Sequence, residues 1–208
     1  MKKPQDAEEF IAQQKRILAE NPDCANSSYN LGVALMNQGK LDEAIEAFND
    51  AILNSGRMFE GYVNLGYIYF KKGDMGKVAE MNLRAVEIEP RYARGYANLG
   101  FAYLQMCETE KAIEALEKAI EINPKIAQAW NNLLNAYLQK GDADKAIEIG
   151  EKLVEMAPNF GLALNNLAYA YYTKGRYQEA SKYLGKAISS GFEPHPDFVE
   201  ALKKHQRK

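Results

Sequence analysis

Apolar residues recur along most of this chain with the spacing of an α-helix, in two short runs at a time. In residues 93–126 the second run is the clearer. Ala112, Ile113, Leu116, Ala119 and Ile120 fall on one helical face, while Glu114 and Lys118 form an i,i+4 pair on the opposite one. The run ahead of it predicts a first helix of about a dozen residues. Glycines at Gly39, Gly73, Gly141 and Gly175 stand where such first helices should stop, since glycine adopts the positive φ that ends a helix. Pro90, Pro124 and Pro158 close the second helices, because proline cannot continue one. The unit is therefore helix–turn–helix, with one apolar stripe per helix.

The unit repeats. Leu31-Gly32, Leu65-Gly66 and Leu99-Gly100 lie 34 residues apart, and Leu133-Leu134 and Leu167-Ala168 continue the register. Further columns hold the same period: Leu35, Tyr69, Tyr103, Tyr137 and Tyr171; Ser28, Tyr62, Tyr96, Trp130 and Leu164; Ala44, Val78, Ala112, Ala146 and Ala180. Five blocks follow, at 25–58, 59–92, 93–126, 127–160 and 161–194. A block of this kind cannot bury its apolar side alone, so the pattern predicts a stacked array. Upstream, residues 1–24 read as a single helix, the second half of a repeat. Asp6 to Glu9 suggests a capping box there, and Phe10, Ile17 and Leu18 an apolar face. Downstream, residues 195–208 predict a capping helix with Phe198, Val199 and Leu202 inward, and Lys203, Lys204, Arg207 and Lys208 in water.

These columns resemble the tetratricopeptide repeat family, whose signature has the same length and the same order of aromatic, Leu-Gly, aromatic, Ala and Pro. The resemblance covers about four-fifths of the chain. It implies an all-α fold, a right-handed superhelical solenoid of five repeats, and a protein-interaction scaffold whose concave groove takes a segment of a partner.

Composition adjusts this picture only slightly. The 26 basic and 28 acidic residues leave a formal charge of −2, which gives nucleic acid no electrostatic footing. No run approaches the length needed to span a bilayer, and Met1-Lys2-Lys3-Pro4 leads into no apolar signal region, so a cytoplasmic protein without membrane insertion is expected. Cys24 and Cys107 are far apart and lack metal-ligand spacing, as expected of reduced thiols. His195 and His205, the two histidines, are not spaced with a nucleophile or carboxylate as a triad or metal set. With no phosphate loop either, the chain is read as a non-enzyme that needs no cofactor or metal.

The candidate chemistry is recognition. Asn30, Asn64, Asn98, Asn132 and Asn166 put one amide at the same place in every first helix, where core packing does not demand one. An amide carries both a donor and an acceptor, which matches a peptide group. Helices packed at roughly 8–10 Å and a peptide advancing about 3.3 Å per residue would let each asparagine meet every third residue. At about 0.5–1.5 kcal/mol per bond the ladder is weak and unselective, so selectivity falls to side chains on the same stripe. These are Tyr67, Phe70, Arg94, Phe101, Asn135, Tyr169 and Tyr172, with Arg94, Asn98 and Phe101 as the expected specificity centre. Bonding of the asparagines within the array is the alternative reading, and self-association as a homo-oligomer the alternative function. The resemblance also suggests the family's carboxylate clamp. Asn135 and Asn166 match it, but Asn131, which its spacing places on the same stripe, replaces a lysine, and Pro196 and Glu200 replace its last basic pair.

Five positions depart from the repeat. Cys107 replaces the turn glycine and is expected at positive φ. Asn82 puts an amide into the Leu116 column, and Gly56 stands where proline is expected. Gly150 and Leu153 replace Leu116 and Ala119, a loss and a gain of bulk that predict compensated packing along one helix.

Overall fold

The computed structural model describes residues 4–206, and the described residues form twelve helices. They are α1 (Pro4–Glu20), α2 (Ala25–Asn37), α3 (Leu41–Asn54), α4 (Phe59–Lys72), α5 (Met75–Ile88), α6 (Ala93–Gln105), α7 (Thr109–Ile122), α8 (Ala127–Lys140), α9 (Ala143–Met156), α10 (Gly161–Thr173), α11 (Tyr177–Ser189) and α12 (Pro196–Gln206). Helices α2 to α11 form five consecutive antiparallel pairs, with α1 and α12 at the ends. This is the all-α solenoid that the periodicity predicts. The chain forms two compact units, divided after Asn98 within α6.

The turns within pairs follow from the residues at their apex. Gly39, Gly73, Gly141 and Gly175 have φ between 73° and 83°, in the left-handed region that stops a helix without steric cost. Cys107 takes the same place at φ 59°, the one residue other than glycine at positive φ among those described. Second helices start on polar caps where they can. The Asp74 and Asp142 carboxylates accept from the backbone N–H of Lys77 (3.0 Å) and Lys145 (3.1 Å).

The first and third pairs close on a small-against-large contact. A methyl group on Gly32 would lie 2.8 Å from the Phe48 ring, and one on Gly100 would lie 2.5 Å from Leu116 Cγ. Glycine in the first helix lets the bulky residue of the second reach the helix axis. The fourth pair reverses the roles. Leu134 occupies the glycine position, and Gly150 on the facing helix yields the room: a methyl there would meet Leu134 Cδ1 and Leu167 Cδ1 at 2.8 Å each. Compensation therefore comes across the helix pair as well as from the fully buried Leu153 on the same helix.

The second unit also sets two tyrosines, the half-buried Tyr137 and the buried Tyr171, against carboxylates. Tyr137 Oη donates to Glu117 Oε1 at 3.0 Å, and Tyr171 donates to Glu151. Burial, then the hydrogen bond to Glu117, pushes the Tyr137 phenol up to about 12. Burial and Glu151 raise Tyr171 in the same direction.

The end helices differ in detail from expectation. Helix α1 already includes Pro4, so Asp6 lies within its first turn and is not its N-cap. Ile11 and Gln14 are its buried residues, with Ile17 and Leu18 half-buried, while Phe10 is exposed. The helix is thus turned about one residue from the face expected. In α12, Leu202 is buried and Phe198 and Val199 are half-buried, whereas Lys203 and Lys204 are exposed. Arg207 and Lys208 lie outside the described residues.

Candidate functional site

In the first unit the asparagine column is partly engaged inside the protein. Asn30 on α2 is exposed. Asn64 on α4 is half-buried and donates through Nδ2 to Tyr29 Oη at 3.2 Å. Asn98 on α6 is exposed on one side and donates through Nδ2 to Asn82 Oδ1 at 3.3 Å. Asn82 is 2% exposed and donates in turn to the Val78 carbonyl at 2.8 Å. That chain fixes the orientation of each amide. A carbonyl can only accept, so Asn82 presents its NH2 to Val78 and its oxygen to Asn98; Asn98 must then spend one N–H inward. The Asn98 carbonyl oxygen and the second N–H of its amide are the groups left for a ligand. Beside this column, Tyr67 and Phe70 on α4 are 48% and 45% exposed. Lys71 Nζ lies 5.4 Å from the Tyr67 ring centre, and Arg94 is exposed in the first turn of α6.

In the second unit, Phe101 and Leu104 of α6 and Asn132 and Asn135 of α8 line a depression of about 200 Å3, with Gln105 and Gln139 at its rim. One wall is apolar and the rest carries neutral amides; no charged side chain lines it. Asn132 is 5% exposed, and its Oδ1 accepts from Gln128 Nε2 at 3.0 Å. Asn166 on α10 donates to Asn131 Oδ1 at 3.0 Å and accepts from Asn165 Nδ2 at 3.4 Å. Asn131, placed on the groove stripe by its spacing, is 1% exposed and belongs to the interior. The carboxylate-clamp pattern therefore has a buried amide in place of its first cation. Tyr169 and Tyr172 stack at 6.3 Å, and Phe198 of α12 packs edge-on against both, at 5.5 and 5.6 Å. Sequence reasoning missed that contact, and it missed Gln105 and Gln139. The glutamines had a signal, for they stand one repeat apart in the same column as Lys71.

Among the described residues no group of three His, Cys, Asp or Glu is placed to hold a metal ion, and no helix is long and apolar enough to cross a membrane.

Models of the tetratricopeptide repeat match residues 11–61, 59–92, 93–126, 115–148 and 137–197. Among solved structures, the chain is 32% identical to a crystal structure of MamA, covering 77% of this chain and 94% of that one with a TM-score of 0.74. MamA from Desulfovibrio magneticus RS-1, at 18% identity, shares the fold with a TM-score of 0.75 over 80% of this chain and 94% of that one. YrrB, described as a TPR protein with an unusual peptide-binding site, is 20% identical; 92% of this chain and 97% of that one superpose with a TM-score of 0.79. No curated protein matches. The chain belongs to the tetratricopeptide repeat family. It is a protein-interaction module of that family.

Proposed function

We propose that this array, with its repeats at 25–194 and the flanking segments 1–24 and 195–208 closing its ends, is a cytoplasmic scaffold without chemistry of its own. Its first-helix face takes an extended or helical segment of a partner protein. The contact residues are Asn30, Asn64, Asn98, Asn132, Asn135 and Asn166 for the peptide backbone, with Tyr67, Phe70, Arg94, Phe101, Tyr169 and Tyr172 for side chains.

The observation that carries the reading is the depression beside Phe101 and Asn135. An apolar wall facing several neutral amides suits a peptide, which brings both apolar side chains and backbone polar groups. YrrB, with the same fold, is described as having a peptide-binding site. The internal bonds of Asn64, Asn98 and Asn166 refine the asparagine ladder. One N–H of each of these amides is engaged, and the Asn132 and Asn166 oxygens accept internal bonds, so the ladder offers a peptide fewer matched donor–acceptor pairs than five free amides would. They also change the choice of test, because alanine at Asn98, Asn132 and Asn166 together would break internal bonds and lower stability by about 1–3 kcal/mol per orphaned buried group.

Asn135→Ala with Gln139→Ala avoids that problem, since Gln139 is exposed and Asn135 only half-buried. Selection from a library of random dodecapeptides displayed on phage should enrich a defined set on the native chain. Binding of that set should fall at least tenfold on the double variant, which corresponds to about 1.4 kcal/mol. Equal binding of the set by both chains would overturn the reading, as would no enrichment.

A further inference from the structure

The asparagine column of the first helices changes polarity at one place. Asn64, Asn98 and Asn166 each turn an N–H towards a partner inside the protein. Asn132 does the reverse. Its Oδ1 accepts from Gln128 Nε2, one turn earlier on α8, at 3.0 Å, and neither of its N–H groups has a partner among the described residues. Asn132 is 5% exposed, and its Nδ2 is not among the polar atoms cut off from solvent, so the NH2 opens into the depression that this residue lines. Gln139 leans the same way. Its Oε1 is taken by the Thr109 hydroxyl at 2.9 Å, while Cys107 Sγ, at 3.7 Å from Nε2, makes only a weak claim on its NH2. Asn135 and Gln105 lie more open and can turn either end of their amides to a ligand.

The nearly buried amide makes the stricter demand. A ligand that covers the depression removes water from the Asn132 N–H groups, and a donor left without an acceptor there would cost about 1–3 kcal/mol. The ligand must therefore bring a carbonyl oxygen to Asn132, whereas a backbone N–H at the same place would face another donor. Proline supplies the carbonyl without the N–H, and its ring suits the apolar wall of Phe101 and Leu104. A carboxylate would also accept, but no cation lines the depression to offset its desolvation. The spacing agrees. Polyproline II has three residues per turn at about 3.1 Å each, so one turn spans roughly the 8–10 Å between packed helices and offers the same face to each repeat.

We infer that Gln128, by holding the Asn132 oxygen, makes this depression the site for a proline-containing segment of the partner protein in the polyproline II conformation. The segment's carbonyls accept from Asn132 and Asn135, and a proline ring lies on Phe101 and Leu104. The inference rests on the partner-binding reading above and deepens it by naming the partner segment. Gln128 is exposed and does not line the depression, so it is a positioning residue.

Decaproline with blocked ends, labelled with a fluorophore and titrated against the full chain to about 1 mM, tests this beside a Gly-Ser repeat of equal length that carries an N–H at every residue. Expected is saturable decaproline binding, tighter than that of the Gly-Ser peptide by about tenfold or more. In Gln128→Glu the carboxylate can only accept, so Asn132 must turn its NH2 to position 128 and its oxygen to the depression. Decaproline binding should then fall by about tenfold or more, while circular dichroism and Tm stay close to those of the native chain. The peptide carries no charge for the new carboxylate to repel. Gln128→Met, which breaks the bond without reversing the amide, should lose less. Decaproline bound no more tightly than the Gly-Ser peptide, or not bound at all, would overturn the inference. So would equal binding by the native and Gln128→Glu chains, or equal losses in the Glu and Met variants. A library selection that enriches a set without proline while decaproline fails would remove this inference and leave the broader reading in place.

Discussion

Cys107 is, among the described residues, the one residue other than glycine at positive φ. At φ 59° its Cβ crowds the following carbonyl, a conformation that costs roughly 1–2 kcal/mol for an L-residue. Glycine there would remove the crowding but lose more chain entropy on folding, offsetting about 0.5–1 kcal/mol. Cys107→Gly should therefore raise stability by roughly 0.5–1 kcal/mol, seen as a Tm increase of about 2 °C, while Cys107→Val should lower it. A lower Tm for the glycine variant would show that the thiol contributes more than the 3.7 Å contact from Gln139 Nε2 suggests. The conformation of Cys107 was legible in the sequence because four glycines share its column. The partner of Asn82 was not. Its amide stands out in a column of apolar residues, but only the packing of α5 against α6 brings Asn98 to its oxygen, and that bond decides which groups of the Asn98 amide are left for a ligand.

Between elements, the informative contact is the reversed one in the fourth pair. Leu134 from α8 fills the space that Gly150 leaves on α9, where Gly100 and Leu116 divide the space the other way. Leu134→Gly alone should leave a cavity and cost at least the 2–5 kcal/mol typical of Leu→Ala in a core. Gly150→Leu alone should overpack and cost about 1–3 kcal/mol. The double variant restores the arrangement of the third pair, so urea denaturation should show it more stable than the sum of the single changes by at least about 1 kcal/mol. Additive losses would mean that Leu167, which also touches the Gly150 site, fixes the geometry on its own. The helix pairs and their turns could be read from the chain because each position had four counterparts to compare. The ends had none. Helix α1 is turned by about one residue from the face expected, and α12 could be assigned an apolar side but not the contacts of Phe198 and His205 with the α10 tyrosines. The exposed aromatics were legible as types at a stripe position, yet Asn131 on that same stripe proved buried, since a helix interface covers a wider arc than spacing alone resolves.

Across the whole molecule the ion pairs contribute little, because they lie on the surface. Lys72 with Asp42, Lys140 with Glu110, and Lys174 with Asp144 join successive helices at 2.5–3.7 Å, but their side chains are largely exposed and water screens the attraction. Stability should therefore change modestly with salt. Part of its sensitivity to pH lies on the alkaline side, where the second unit holds two tyrosine–carboxylate bonds. An unfolded tyrosine titrates near 10, whereas Tyr137 is pushed up to about 12 by burial and by its bond to Glu117, and Tyr171 is raised by the same two causes. The folded state thus holds these protons more tightly than the unfolded one. The stabilisation is fully present below about pH 10 and is lost as pH rises towards the folded values, because above pH 10 the unfolded chain gives up protons that the native chain keeps. Urea midpoints at about pH 8 and about pH 11 should differ for the native sequence, with the lower midpoint at the higher pH. Tyr137→Phe cannot ionise, so it should start less stable at the lower pH by the lost hydrogen bond and then fall by less on raising the pH. A pH-dependent loss of the same size in Tyr137→Phe and the native chain would show that the Glu117 bond is not linked to folding, and would assign the alkaline transition to Tyr171, Tyr183 and Tyr92, whose phenols burial also raises.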